Sequence, residues 1–332
     1  MPRAPLERAM GLLSITVLAG CTLLPIPRAH PTESSDEPRF VAPASPVKWA
    51  LVLSSGAMRG FAHIGVIQEL RAAGLEPDLI VGTSVGAIVG AFAGSAIEDE
   101  RLAEATQAIN ASILGDLQLS RYGLIGGGGI HEFVDRFTRH HSIEDFPIQF
   151  AAVAVEAGRS CLEVFNAGDA GKAAQASTGV PVVFSPASIR GRRYLDGALI
   201  SPLPVRVARA LGAQRVVAVN VVLDPKDRPF PNILESFWRM SLVTQWALAA
   251  NEAVDADLVL SPQLPPEAMI TFSRRDALIE VGARAVRENL PGILRLLAAD
   301  PPNRQRFHTT IEDFMCPETH AALRGSRLPV RP

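Results

Sequence analysis

Ser84 is the residue in this sequence whose surroundings best suit a nucleophile. Gly82-Thr83-Ser84-Val85-Gly86 fits the pattern G-x-S-x-G and joins an apolar run, predicted as a strand, to a small-residue run, predicted as a helix. In that context the serine sits on a sharp turn, and the flanking glycines remove Cβ atoms that would clash there. A tight strand–helix turn with a serine N-cap explains the same pattern without catalysis.

A second loop, one strand–helix unit earlier, has the composition of an anion-binding turn. Ser54-Ser55-Gly56-Ala57-Met58-Arg59-Gly60 offers backbone N–H groups among small residues, and Arg59 adds a permanent positive charge. Neighbouring strand–helix turns of a parallel sheet converge at the carboxyl ends of the strands. We therefore expect this loop to hold an oxyanion while Ser84 attacks. Phosphate binding is disfavoured because neither G-x-x-x-x-G-K-[ST] nor G-x-G-x-x-G occurs in the chain.

Two candidates could supply the base that a serine nucleophile needs. Asp196, followed by Gly197, would form a Ser–Asp dyad, and burial would raise its pKa toward the range of a useful base. His308 and His320 lie late enough in the chain for a Ser–Asp–His triad, although both sit in a polar tail. The residues alone leave the two arrangements open, and Asp196-Gly197 is also typical of a plain β-turn.

Together these motifs resemble the patatin-like phospholipase family, and most of all its bacterial branch. The similarity runs from Val47 to Val205 and rests on SSGAMRG, GTSVG and DGA in this order, with the flanks FAHIGVIQEL, STGVP and FSP. The resemblance implies a Ser84–Asp196 dyad without histidine. It implies an oxyanion loop made by Gly56, Ala57, Met58 and Arg59, with Gly60, Gly82, Gly86 and Gly197 supporting the motifs. Ser54, Ser55, Ala57 and Ala198 depart from the glycines common in the family.

The resemblance also implies a fold and an activity. We expect a three-layer α/β/α domain with a mostly parallel central sheet, hydrolysing phospholipid or lysophospholipid esters without a cofactor or metal. The altered glycine loop keeps a second hypothesis open, in which an envelope lipoprotein retains the fold but only binds lipid or a partner.

Apolar periodicity independently indicates an α/β fold, because short apolar runs alternate with helical ones. The predicted strands are Val47–Ser54, Asp78–Gly82, Gln149–Glu156, Cys161–Asn166, Arg215–Val222 and Leu258–Leu260. The predicted helices are Phe61–Ala73, Ser84–Ser95, Glu98–Ile113, Ile130–Arg139, Ala170–Ser177, Ile233–Val254 and Asp276–Ala299. Gly126–Gly129 is interpreted as a hinge. The domain is expected to span 47–300, and residues 301–332 a tail packed on the surface.

The first 46 residues are interpreted as a targeting segment followed by a linker. Gly11–Gly20 is apolar but too short to span a membrane, and Leu18-Ala19-Gly20-Cys21 resembles a bacterial lipobox. Residues 1–20 would then be a signal peptide, Cys21 the lipidated residue, and 21–46 a proline-rich linker. Thr22, rather than aspartate, favours a periplasm-facing position at the outer membrane.

Composition excludes several other classes of protein. The 332 residues carry 32 Lys+Arg against 34 Asp+Glu, a net charge of −2, so a nucleic-acid partner is not expected. Three cysteines without a CxxC pair argue against a structural zinc site. Cys161 and Cys316 could pair if the domain is periplasmic, but the sequence does not place them within bonding distance, so their pairing stays open. His63 is expected to be a packed helix residue, and His140-His141 a solvated helix end. The sequence does not determine the oligomeric state.

Overall fold

The centre of the protein is an eight-stranded, mostly parallel sheet with helices on both faces. The computed structural model describes residues 36–43, 46–109, 123–226, 233–264, 274–300 and 311–326, and all of them belong to one compact unit that begins at Glu33. Cys21 and His308 lie outside the described residues.

The strands are β1 Trp49–Leu53, β2 Leu79–Thr83, β3 Gly123–Ile125, β4 Gln149–Glu156, β5 Cys161–Phe165, β6 Val182–Phe184, β7 Ala187–Ile189, β8 Arg192–Asp196, β9 Arg215–Val219 and β10 Leu258–Leu260. The helices are α1 Phe61–Ala72, α2 Val85–Gly94, α3 Asp99–Ala108, α4 Gly128–Thr138, α5 Ala170–Ser177, α6 Val205–Ala210, α7 Ile233–Ala253, α8 Arg275–Ala298 and α9 Pro317–Ser326. Short 3-10 turns at Ala57–Gly60 and Gly197–Leu199 follow β1 and β8.

The large sheet has the order β10-β9-β1-β2-β4-β8-β7, with β5 paired to the second edge of β4. The strands from β10 to β4 are parallel, and β5, β7 and β8 add antiparallel pairs. A separate small sheet pairs β3 with β6. The expected mostly parallel α/β architecture is confirmed.

Alternation along the buried strands explains the three layers, because successive side chains of a strand point to opposite faces. Leu51 and Leu53 of β1 belong to the apolar cluster that includes residues of α1, α2 and α8. Ala50 and Val52 belong to the cluster on the other face, which includes residues of α6, α7 and α9.

Strand β4 aligns the two motifs that carry the predicted chemistry. β2 pairs in parallel with the first half of β4, so that Thr83 lies beside Val153. β8 pairs antiparallel with its last residues, so that Asp196 lies beside Ala154. Because β5 occupies the opposite edge of β4 from Ala152 to Glu156, β2 and β8 must share one edge, end to end. The register therefore brings the residue after β2, Ser84, next to the last residue of β8.

The C-terminal segment is more than a surface tail, and this differs from the expectation for residues 301–332. Ile311, Met315 and Leu323 are buried in the core cluster that also holds α6. Met315 forms a bridge with Leu162 of β5, and a disulfide joins Cys161 to Cys316. The sequence missed this anchoring because the apolar residues of the segment are few and widely spaced.

The four-glycine run is also not a loop throughout. Gly127 has a φ of 79° and caps α4, which already begins at Gly128. The helix thus starts two residues before the predicted Ile130. Among the described residues, no helix has the length and apolar character needed to cross a membrane.

Candidate functional site

Ser84 occupies a strained turn between β2 and α2. Its φ of 58° and ψ of −125° lie in a region that side-chain-bearing residues rarely adopt. The turn is tight enough that a Cβ on Gly86 would lie 2.2 Å from the carbonyl oxygen of Leu53, and one on Gly82 would lie 2.2 Å from that of Gly86. Both glycines of the motif are therefore required by close backbone approach, and the sharp turn predicted from the sequence is present.

The structure brings Ser84 and Asp196 together across 112 positions of sequence. The Ser84 Oγ hydroxyl donates to Asp196 Oδ2 at 2.7 Å, and Asp196 Oδ1 accepts from the Ala198 amide at 2.8 Å. Both side chains are buried, with Ser84 8% and Asp196 4% exposed. A Cβ on Gly197 would lie 2.2 Å from the Val153 carbonyl oxygen, so this glycine permits the close approach of the aspartate turn to β4.

Burial shifts the pKa of Asp196 toward the range of a base that works near neutral pH. Desolvation raises the pKa of this carboxyl to about 6, against the opposing effect of the hydrogen bonds from Ala198 and Ser84. A carboxylate with this pKa is mostly ionised at pH 7, yet it binds a proton more readily than an exposed aspartate. The pair can therefore take a proton from a serine hydroxyl and return it.

The loop from Gly56 to Gly60 packs directly against the turn that carries Ser84. A Cβ on Gly60 would lie 2.2 Å from the Val85 side chain, which follows Ser84. Ala57 has a φ of 49°, so the chain turns sharply at the first residue of the 3-10 turn that contains Met58. This contact places the loop next to the turn that carries Ser84.

Buried polar side chains hold that loop in place. Arg59 is 5% exposed and its Nε donates to the Val221 carbonyl at 2.8 Å. His63 is fully buried in α1, as expected for a packed residue, and burial lowers its pKa to about 4. Its neutral ring lies with Nε2 2.9 Å from the Ser54 carbonyl oxygen. The Ser54 hydroxyl in turn accepts from the Val221 amide at 2.9 Å.

Ser177, the last residue of α5, is a site residue to which sequence reasoning assigned no role. Its buried Oγ accepts from the Ser84 amide at 2.8 Å and donates to the Val153 carbonyl at 2.6 Å. It thus ties the backbone at Ser84 to β4. Ser177 begins the STGVP flank of the motifs, but no local pattern connects this residue with Ser84.

The described histidine of the predicted triad lies on the C-terminal helix. His320 belongs to α9, with its Nε2 3.8 Å from Glu312 Oε2. Its partner in the sequence hypothesis, His308, is outside the described residues. His140 and His141 are exposed, as expected for a solvated helix end. A different histidine, His131, meets Asp135 and Asp169 in a cluster that could hold a metal ion.

Comparisons with known proteins connect this chain with one protein family. Residues 51–209 match the patatin-like phospholipase family. An uncharacterized NTE family protein of Mycobacterium tuberculosis is 34% identical over 202 residues, covering 60% of this chain and 53% of that protein. Lysophospholipase NTE1 of Coccidioides immitis is 31% identical over 274 residues, covering 72% of this chain and 17% of that protein. The match and these relatives support assignment of this domain to the patatin-like family.

The solved structure of VipD from Legionella pneumophila aligns with a TM-score of 0.47 and 11% identity, over 77% of this chain and 70% of that one. The chain spans about half the length of the mycobacterial relative and less than a fifth of the fungal one.

Proposed function

We propose that this protein is a serine acyl hydrolase of the phospholipase or lysophospholipase type that uses Ser84 and Asp196 as a catalytic dyad. The observation that carries the proposal is the 2.7 Å hydrogen bond from the Ser84 hydroxyl to a buried carboxylate, at a strained strand–helix turn. A nucleophile and its base within hydrogen-bond reach are the diagnostic arrangement of covalent acyl transfer.

In the acylation step, Ser84 Oγ attacks the ester carbonyl carbon while its proton passes to Asp196 Oδ2. The carbonyl oxygen becomes an oxyanion that accepts hydrogen bonds from the amides of Gly56, Ala57 and Met58, in the loop that Arg59 anchors. Collapse of the tetrahedral intermediate breaks the bond to the alcohol. The alcohol leaves with the proton held by Asp196, and the acyl group remains on Ser84.

Deacylation uses the same groups in reverse. Asp196 accepts a proton from a water molecule, whose oxygen attacks the acyl carbon. The second tetrahedral intermediate then collapses, the fatty acid departs, and the proton returns from Asp196 to Ser84 Oγ. The cycle needs one base, and the second oxygen of Asp196 stays bound to the Ala198 amide, which fixes the orientation of the carboxylate.

Phospholipids or lysophospholipids are the proposed substrates. The match of residues 51–209 to patatin-like phospholipases and the fungal relative named a lysophospholipase support this class. The test is release of free fatty acid from mixed phospholipid vesicles and from lysophospholipid by the purified full chain. Wild type should release fatty acid and Ser84→Ala should not, whereas Ser95→Ala, a half-buried serine at the far end of α2, should match wild type.

The alternative is an envelope protein that binds lipid or a partner without hydrolysing it. It predicts that Ser84→Ala and wild type bind vesicles equally and that neither releases fatty acid. Fatty-acid release that persists in Ser84→Ala would instead show that the nucleophile is a different residue.

We further propose a lipid-anchored location in the bacterial envelope, facing the periplasm from the outer membrane. Two features support it: the lipobox-like sequence that ends at Cys21, and the disulfide between Cys161 and Cys316, a bond that persists in oxidising compartments. Cys21→Ser should abolish incorporation of labelled fatty acid and move the protein from the membrane fraction to the soluble one. Retention of Cys21→Ser in the membrane fraction, with no lipid on the wild type, would contradict this location.

A further inference from the structure

Three side chains with metal-ligating atoms meet at the junction of α4 and α5. His131 and Asp135 lie four residues apart on one face of α4, and Asp169 caps the N-terminus of α5. His131 Nε2 lies 2.8 Å from Asp169 Oδ2 and 3.0 Å from Asp135 Oδ2. One atom from each residue can be chosen so that all three lie within 4.8 Å of one another. The sequence did not suggest this cluster because Asp169 is 38 positions from His131.

Backbone amides orient both carboxylates toward the histidine. Asp135 Oδ1 accepts from the Gly171 amide at 3.0 Å, and Asp169 Oδ1 accepts from the Lys172 amide at 2.7 Å. Each aspartate therefore has one oxygen fixed by the protein and presents the other, Oδ2, to the cluster. This is the arrangement of outer-shell hydrogen bonds that holds metal ligands in position.

The two distances from His131 to the carboxylates are close to the ligand spacing of a small divalent ion. Tetrahedral zinc with bonds of ~2.0–2.1 Å separates neighbouring ligand atoms by about 3.3 Å. The two distances from His131 Nε2 to the carboxylates are 2.8 and 3.0 Å, so each must open by only a few tenths of an ångström. His131, Asp135 and Asp169 keep 33%, 16% and 23% of their side chains exposed, which leaves room for entry of the ion and for a water ligand.

Charge also favours a cation at this place. Two carboxylates face a single imidazole, with Asp169 Oδ2 2.8 Å and Asp135 Oδ2 3.0 Å from His131 Nε2. The exposed His140 also lies nearby, with its Nδ1 3.8 Å from Asp135 Oδ2. A divalent ion with a neutral imidazole balances the two carboxylates, whereas a proton leaves one negative charge.

We propose that His131 Nε2, Asp135 Oδ2 and Asp169 Oδ2 form a zinc site that links α4 to the N-terminus of α5. Its role is structural, because the eight residues of α5 separate the cluster from Ser177 by roughly 12 Å along the helix axis. The ion fixes the first turn of α5, and Ser177, at the last turn, holds the amide of Ser84. The site therefore stabilises the nucleophile turn without contacting substrate.

The test is zinc binding by the purified full chain after treatment with chelator and dialysis against Zn²⁺. We expect one zinc per chain by elemental analysis, retained in the presence of excess Mg²⁺, which prefers all-oxygen sites. His131→Gln and Asp169→Asn should each weaken binding by more than the ~10–100-fold that outer-shell changes cause. Asparagine is itself a good N-cap, so Asp169→Asn keeps α5 intact. His320→Gln, a histidine near a carboxylate on α9, is the matched control and should keep full binding.

A second measurement on the unaltered chain keeps the test independent of how the variants fold. Zinc should raise the thermal unfolding midpoint of the wild type, and Co²⁺ in its place should give the strong visible absorption of a four-coordinate site. Absence of stoichiometric zinc in the wild type overturns the proposal and leaves the cluster a hydrogen-bonded ion triad. Zinc that is retained by His131→Gln, or lost equally from His320→Gln, overturns it as well.

Discussion

Replacing Asp196 by asparagine should abolish catalysis and stabilise the fold at neutral pH. The carboxyl is 4% exposed, and its hydrogen-bond partners are the Ser84 hydroxyl and the Ala198 amide. Asparagine keeps the shape and retains an oxygen for the Ala198 amide. It cannot accept the proton of Ser84, and it has no charge to bury.

The magnitude follows from the pKa of the buried group. Burial raises the pKa of Asp196 from 3.8 to about 6, and a shift of about two units corresponds to roughly 3 kcal/mol at ~1.4 kcal/mol per unit. Because the folded protein binds this proton more tightly than the unfolded chain, stability is lost as the pH rises from about 4 to about 6. The full cost is present above that window and absent below it. Asp196→Asn should therefore gain up to roughly 3 kcal/mol at pH 7.5 and almost nothing at pH 4.

The assay is urea unfolding of wild type and Asp196→Asn at pH 4 and pH 7.5, followed by circular dichroism. Asp145→Asn, which removes an exposed carboxylate, is the matched control and should change little at either pH. Two results would refute the reasoning. One is a loss of stability in Asp196→Asn at pH 7.5. The other is a gain of equal size at both pH values, which would mean that the carboxylate is not held in a desolvating site.

Three further predictions concern the same site. Because the proposed base is the ionised form of Asp196, and burial raises its pKa to about 6, kcat/KM should rise about tenfold from pH 5 to pH 7 and then level off. A profile that is flat across this range would exclude Asp196 as the base. Ser177→Ala leaves the Ser84 amide buried without its acceptor, so the free energy of unfolding should fall by ~1–3 kcal/mol. We also expect kcat to drop by a larger factor than KM changes. Kinetics equal to those of the wild type would show that Ser177 does not support catalysis. Gly86→Ala would place a Cβ 2.2 Å from the Leu53 carbonyl oxygen and should prevent native folding by circular dichroism, whereas Gly292→Ala, with open space around its Cβ position, should fold normally.

The sequence predicted those parts of the fold in which local signals are strong. The helix predicted from Phe61 ends within one residue of α1, because Gly74 stops it, and α5 matches its predicted range. The apolar strands β1, β2, β4 and β9 were found because buried parallel strands are continuous apolar runs. The turn at Ser84 was predicted correctly because its flanking glycines remove Cβ atoms that would clash in so sharp a turn.

What the sequence missed depends on contacts between distant segments. No strand was predicted for the hairpin of β7 and β8, because β8 begins with the exposed Arg192 and Arg193 and lacks a clear strand pattern. The bond between Ser177 and Ser84 and the cluster around His131 each join residues separated by long stretches of chain. No local pattern encodes such pairs. The pairing of Cys161 with Cys316 was left open for the same reason, and the structure places them in bonding distance.

The most direct test of the central claim is covalent labelling of the full chain with a fluorophosphonate, with the modified residue located by mass spectrometry. We expect a single adduct on Ser84 that is absent in Ser84→Ala and forms much more slowly in Asp196→Asn. It should form at the wild-type rate in His308→Ala and His320→Ala. An adduct on another serine would contradict the assignment of the nucleophile. Loss of labelling in either histidine variant would contradict the dyad and restore a Ser–Asp–His triad.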